Sequence, residues 1–149
     1  MFAKILVPVD GSAASHEALL AAGDIASKYG SEIRILCVYR HHSPLETSLS
    51  MVRPYEPDKP DKALKEYASE IVENAKKIAR EHGFDKVTGY VKQGQPARTI
   101  VSFAQDHKIE LIVIGNRGSG DIEGFLLGSV SHKVTSLAHC HCLTIKSIK

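Results

Sequence analysis

The chain predicts a doubly wound α/β domain built on an open parallel sheet. Two patterns carry that prediction. Segments with strand and helix periodicity alternate from end to end, the order that places helices on both faces of a parallel sheet. The apolar run Leu111-Ile112-Val113-Ile114 then leads into Gly115-Asn116-Arg117-Gly118, with Gly128-Ser129 and a helix-periodic segment beyond it. A strand, a glycine-punctuated loop and a helix start form a layout that holds phosphates. Glycine lets an anion approach the backbone, and the first helical turn offers unpaired N–H groups. Ser129 and Ser131 add hydroxyls at that turn.

Each element has its own signature. Ile5 to Val9 is an apolar run ending in Asp10-Gly11-Ser12, with Ser12 or Ser15 as cap of the next helix. That helix carries Ala18, Leu19, Ala22, Ile25 and Ala26 at helical spacing and stops near Gly30. Ile33 to Tyr39 is the second strand. Residues 40–61 break the rhythm with Pro44, Pro54, Pro57 and Pro60, and so long a connection in a compact domain is usually functional or mobile. Leu64, Tyr67, Ala68, Ile71, Val72, Ala75, Ile78 and Ala79 follow helical spacing until Gly83.

Val87 to Val91 alternates as a shorter, less apolar strand suited to a sheet edge. In Gly94-Gln95-Pro96 the proline fits a first helical position, and Ile100, Val101 and Ala104 give that helix its buried face. Leu111 to Ile114 is the fourth strand, Ser129 to Ala138 the last helix and Leu143 to Ile148 the fifth strand. With no internal repeat and no low-complexity tract, residues 1–149 read as one domain.

Composition excludes several classes. A formal charge of +2 without a dense Lys/Arg block gives no nucleic-acid footprint. Lys76, Lys77 and Arg80 read as the solvated face of an amphipathic helix. No apolar run approaches the roughly 20 residues of a membrane span. Met1-Phe2-Ala3-Lys4-Ile5 enters a strand directly, without a signal-peptide layout. Three cysteines make no disulfide framework, so the expected setting is a reducing cytoplasm.

In an open α/β sheet, ligands bind beyond the carboxyl ends of the strands, where the strand order reverses. With strand order 3-2-1-4-5, the loop Pro8-Val9-Asp10-Gly11-Ser12 and the glycine loop face one crevice. Asp10 could then accept from a ribose hydroxyl or hold a metal on the phosphates; the plainer alternative is a turn residue. The pattern G-x-x-x-x-G-K-[ST] is absent, and Gly118-Ser119-Gly120 reaches Gly124 one residue off the dinucleotide fingerprint. Both a P-loop NTPase and a dehydrogenase are disfavoured.

Gly115, Gly118, Gly128 and Ser129 form G-x2-G-x9-G-[ST], which resembles the pattern of the ATP-binding branch of the universal stress protein family. The likeness extends over essentially the whole chain, through Lys4-Ile5-Leu6-Val7-Pro8-Val9-Asp10-Gly11-Ser12, Gly94-Gln95-Pro96-Ala97 and Leu126-Leu127-Gly128-Ser129-Val130-Ser131. It implies a Rossmann-like, adenine nucleotide alpha hydrolase-like fold with a five-stranded parallel sheet. It also implies that Pro8, Val9 and Asp10 lie beside adenine and ribose, and that Val38 meets the adenine edge through its backbone. Gly115, Arg117 and Gly118 would wrap ribose and phosphates, and Gly128, Ser129, Val130 and Ser131 would meet the phosphates. ATP, or AMP or ADP, is the implied ligand, with Mg2+ carried on the nucleotide and reaching Asp10 only indirectly. A homodimer through the last strand is implied as well.

The segment Ala138-His139-Cys140-His141-Cys142 departs from that family's usual Cys-Pro-hydrophobic approach to the last strand, with His141 at the proline position. If extended, it places His139 and His141 on one face and Cys140 and Cys142 on the other. Each pair could supply two soft ligands, and a dimer could unite two pairs; otherwise the cysteines are apolar fillers and the histidines exposed. The function expected is a nucleotide-controlled regulatory module with little or slow hydrolysis. The alternatives are an enzyme transferring adenylyl or phosphoryl groups and a structural dimer module.

Overall fold

The computed structural model describes residues 1–40, 59–116 and 128–147. Its elements alternate as β1 (Lys4–Pro8), α1 (Ala13–Tyr29), β2 (Glu32–Tyr39), α2 (Lys59–Glu81), β3 (Val87–Gln93), α3 (Pro96–Asp106), β4 (Leu111–Gly115), α4 (Ser129–Leu137) and β5 (His141–Ile145). The five strands form one parallel sheet in the order β3-β2-β1-β4-β5. Residues of the Pro-rich segment 41–58, and with them His41, His42 and Arg53, lie outside the described residues. So do Arg117, Gly118, Gly120 and Gly124 of the glycine loop.

β1 lies between β2 and β4 and is buried on both faces, with Ile5, Leu6 and Val7 all 0% exposed. A strand's side chains alternate, so each run feeds two cores. Ile5, Val7, Ile33, Ile35 and Val113 pack with Leu19, Ala22, Val72 and Ala79 of α1 and α2. Leu6, Leu36, Ile112 and Ile114 pack with Ile100, Phe103 and Ala104 of α3 and Val134 of α4. This is why the inner strands read as continuous apolar runs rather than alternating ones.

The helix ends follow local chemistry. Ser12 caps α1, its Oγ accepting from Ser15 N at 3.2 Å. Gly30 ends α1 in the left-handed region at φ +66, its N–H donating to Ala26 O. Pro96 opens α3, and the Gln95 side chain accepts from Arg98 N at 3.0 Å.

Two strand boundaries and one helix face differ from expectation, the boundaries because pairing partners set them. β3 runs on to Gln93, since β2 continues alongside it to the Tyr39↔Gln93 pair. β5 occupies His141–Ile145 rather than Leu143 to Ile148, because β4 offers partners only from Leu111↔His141 to Gly115↔Ile145. The buried face of α3 is Ala97, Ile100, Phe103 and Ala104, while Val101 is only half-buried.

α1 starts directly over the end of β4. A Cβ placed on Gly115 would lie 2.8 Å from the backbone carbon of Ala14 and 2.9 Å from its carbonyl oxygen. Backbone on both sides leaves nothing to swing away, so the position demands glycine. Gly115→Ala should cost about 1–3 kcal/mol through this overpacking. The midpoint of urea unfolding measures it.

At the opposite end of the sheet, Arg34 Nη1 lies 2.6 Å from His107 Nδ1, and Arg34 Nε meets Glu32 at 2.9 Å. A guanidinium only donates, so Nδ1 accepts and the imidazole is neutral in this pairing. The ring stacks on Phe103 at 3.9 Å between centroids. Burial, then the charges of Arg34, Lys92 and Lys4, outweigh Asp106 and hold its pKa below the ordinary 6.5. The unfolded chain therefore takes up this proton first, and stability falls as the pH drops through and below 6.5. Urea titrations across that range should show a flatter decline for His107→Gln than for the wild type.

Candidate functional site

The strand order reverses between β1 and β4, and the carboxyl ends of β2, β1 and β4 lie side by side. Beyond β1 the chain is locked by short-range bonds. Val9 N donates to Leu36 O at 2.8 Å, extending the ladder onto β2. Asp10 Oδ1 accepts from Ser12 N at 3.0 Å, and Ser15 Oγ donates to Ser12 O at 3.0 Å. Gly11 takes φ +84, which turns the chain into α1. Asp10 thus serves the turn itself, the plainer of its two expected roles. Its charge also reaches the buried Cys37, whose thiol is pushed up to about 11 by burial first and by Asp10 second.

Val38 contributes its backbone. Leu36 directs its carbonyl toward β1, and Tyr39 directs its own toward the β3 side, where Gly94 N meets it at 2.9 Å. By strand alternation Val38 faces the β1 side. The last paired residue of β1 is Pro8, opposite Leu36, so the Val38 backbone borders the space past the end of β1.

Beyond β4, Asn116 closes the base of the glycine loop. Its N–H donates to Ile145 O at 2.8 Å, and its carbonyl accepts from Gly128 N. The Ser131 hydroxyl lies 3.0 Å from Gly128 O and 3.4 Å from Asn116 O, with Ser131 only 2% exposed. Two ends of the loop are therefore pinned together regardless of what lies between them. Gly128 then serves as N-cap of α4 with no side-chain cap and no acidic residue in the first turn. The amides of Ser129, Val130 and Ser131 have no intrahelical acceptor, and they lie at the positive end of the helix dipole. That arrangement suits an anion.

These placements refine the sequence reading. Pro8, Val9, Asp10, Val38, Gly115, Gly128, Ser129, Val130 and Ser131 all belong to the carboxyl ends of β1, β2 and β4 or to the start of α4. Arg117 and Gly118 lie outside the described residues. The Ser131 hydroxyl is directed at backbone carbonyls and the Val130 side chain packs on the second core, which leaves their amides as the groups that could face an anion. Ser129 is exposed. Asn116, Ser12 and Ser15 hold the site together; only the Gly-Asn-Arg-Gly spelling hinted at Asn116, and its role is a main-chain one.

No group of three His, Cys, Asp or Glu side chains could hold a metal among the described residues. A groove of about 310 Å3, lined by Lys92, Arg98, Ser102, Phe103 and His107 among others, runs along α3 rather than at this crevice.

Similar proteins share this architecture. The chain is 38% identical over 150 residues to universal stress protein YxiE of Bacillus subtilis, covering 98% of this chain and 100% of the relative. The solved structure of protein MJ0577, from Methanocaldococcus jannaschii, superposes with a TM-score of 0.82 at 28% identity, covering 100% and 99% of the two chains. A universal stress protein solved in complex with cAMP gives a TM-score of 0.73 at 25% identity, with 97% of each chain covered. The profile of the Universal stress protein family matches residues 1–146. The chain belongs to the universal stress protein family.

Proposed function

We propose that the crevice between the ends of β1 and β4 binds an adenine nucleotide and that its occupancy controls a regulatory, stress-response activity. The observation that carries this reading is the convergence of an uncapped helix start, a carboxylate turn and a backbone edge on one crevice. The phosphates meet the amides of Ser129, Val130 and Ser131, with Gly115 and the Arg117-Gly118 segment beside them. Asp10 accepts from ribose, and the Val38 backbone reads the adenine edge. The cAMP held by a similar protein supports the ligand class. ATP is the favoured form, with Mg2+ on the nucleotide supplying charge neutralisation of the phosphates.

Hydrolysis is slow in this proposal. The chain has no P-loop lysine to stabilise charge on the β- and γ-phosphates. The protein acts in the cytoplasm as a homodimer joined through β5, the sheet edge on which Leu143 is 37% exposed.

Calorimetric titration with ATP and Mg2+ tests the proposal, with ADP measured in the same samples. The wild type should bind one nucleotide per chain with little ADP formed. Gly118→Val should weaken binding by about tenfold or more, or at least about 1.4 kcal/mol. No heat from nucleotide-free wild type would refute the reading, and turnover that requires an added acceptor would favour a group-transfer enzyme instead.

A further inference from the structure

At the start of β5 the two thiols and His141 part to opposite faces of the sheet. Cys140 lies in the bend preceding β5, and Cys142 on β5 pairs with Ile112. Both are half-buried against the core that contains Ile109, Ile112 and Val134. His139 and His141 are exposed. His141 meets the ring of Phe2 edge-on at 5.9 Å, and Phe2 packs on the opposite core. The thiols thus share the α3/α4 face while His141 lies on the other.

We infer that Cys140 and Cys142 form a two-thiolate site for a soft monovalent d10 cation, Cu(I), with one ion per chain. The spacing fits. Alternate residues of a strand are at most about 7 Å apart at Cα, and both thiols face the same core. Cys142 Sγ is turned back toward its neighbour, 3.8 Å from Cys140 O. Two thiolates on opposite sides of one ion need their sulfurs two metal–sulfur bond lengths apart, within the reach of side chains two residues apart on one strand face.

The surroundings select the ion. Zinc takes four ligands in a structural site, but His141 is on the wrong face, and no third His, Cys, Asp or Glu completes a group among the described residues. A soft two-coordinate ion needs only the sulfurs, and thiolates favour it over hard cations. Burial raises both thiols, Cys142 to about 11 with Cys140 adding to the shift, so neither is a ready nucleophile at neutral pH. Binding therefore replaces two S–H bonds with two S–Cu bonds and releases two protons, with no electron transferred. Cys37, the third cysteine, is 4% exposed in the opposite core and cannot join them.

The test uses the full chain under nitrogen, with Cu(I) supplied as its acetonitrile complex and a chromophoric Cu(I) chelator as competitor. One ion per chain, about two protons released per ion at pH 7 and loss of binding in both Cys140→Ser and Cys142→Ser are expected. Cys37→Ala should bind as the wild type does. X-ray absorption should find two sulfur neighbours and no nitrogen shell. Thermal unfolding of the metal-free variants checks that the serine chains are folded. One ion per two chains, equal competition by Zn2+, or retention of copper by either folded serine variant would overturn the assignment.

Discussion

The backbone of Asn116 is the constraint on which the crevice depends. At 5% exposure it lies where water cannot satisfy its main-chain groups, and buried amides and carbonyls are costly without partners. Both are satisfied by distant chain. The N–H reaches Ile145 on β5, and the carbonyl takes the N–H of Gly128 and faces the hydroxyl of Ser131. One residue thereby joins the end of β4 to the end of β5 and to the start of α4. Whatever path residues 117–127 follow, α4 must begin beside β4 with its amides aimed beyond the sheet.

A second constraint is steric. Gly115 lets the first turn of α1 pack backbone against backbone on β4, which sets the Asp10–Ser15 turn beside the end of that strand. The bonds within that turn hold the carboxylate in place. The site is therefore carried by strand ends and helix starts, elements whose positions are over-determined by two cores. A site so placed is pre-organised: a nucleotide would find the donors already pointed at it and lose less free energy in ordering them.

The two sulfur environments show the same folding logic at work on chemistry. Cys37 is sealed in the α1/α2 core beneath Asp10, where burial and a nearby negative charge suppress ionisation. Cys140 and Cys142 share a half-open face at the sheet's far edge. Identical side chains thus differ in what they can do because of which face of which strand presents them. His107 makes the complementary case: a guanidinium donor and an aromatic stack keep an imidazole neutral.

The amino-acid sequence by itself determined the fold class, because short apolar strand runs and helical segments with period 3.6 alternate outside 40–61. It also determined the helix stops at Gly30 and Gly83 and the shared face of Cys140 and Cys142 opposite His141, since these follow from local dihedrals and strand alternation. The region of the candidate site was legible too, through the Asp10-Gly11 turn and through Gly115 and Gly128, which end β4 and cap α4. Tertiary structure alone decided the rest. β3 and β5 end where their partners end, and Phe103 is buried because α3 leans on Tyr90 and the sheet. Ser131 became a clamp, and Asn116 acts through main-chain atoms that every residue possesses. No side-chain pattern encodes such roles, because they arise only when distant backbone groups are buried together and must find each other.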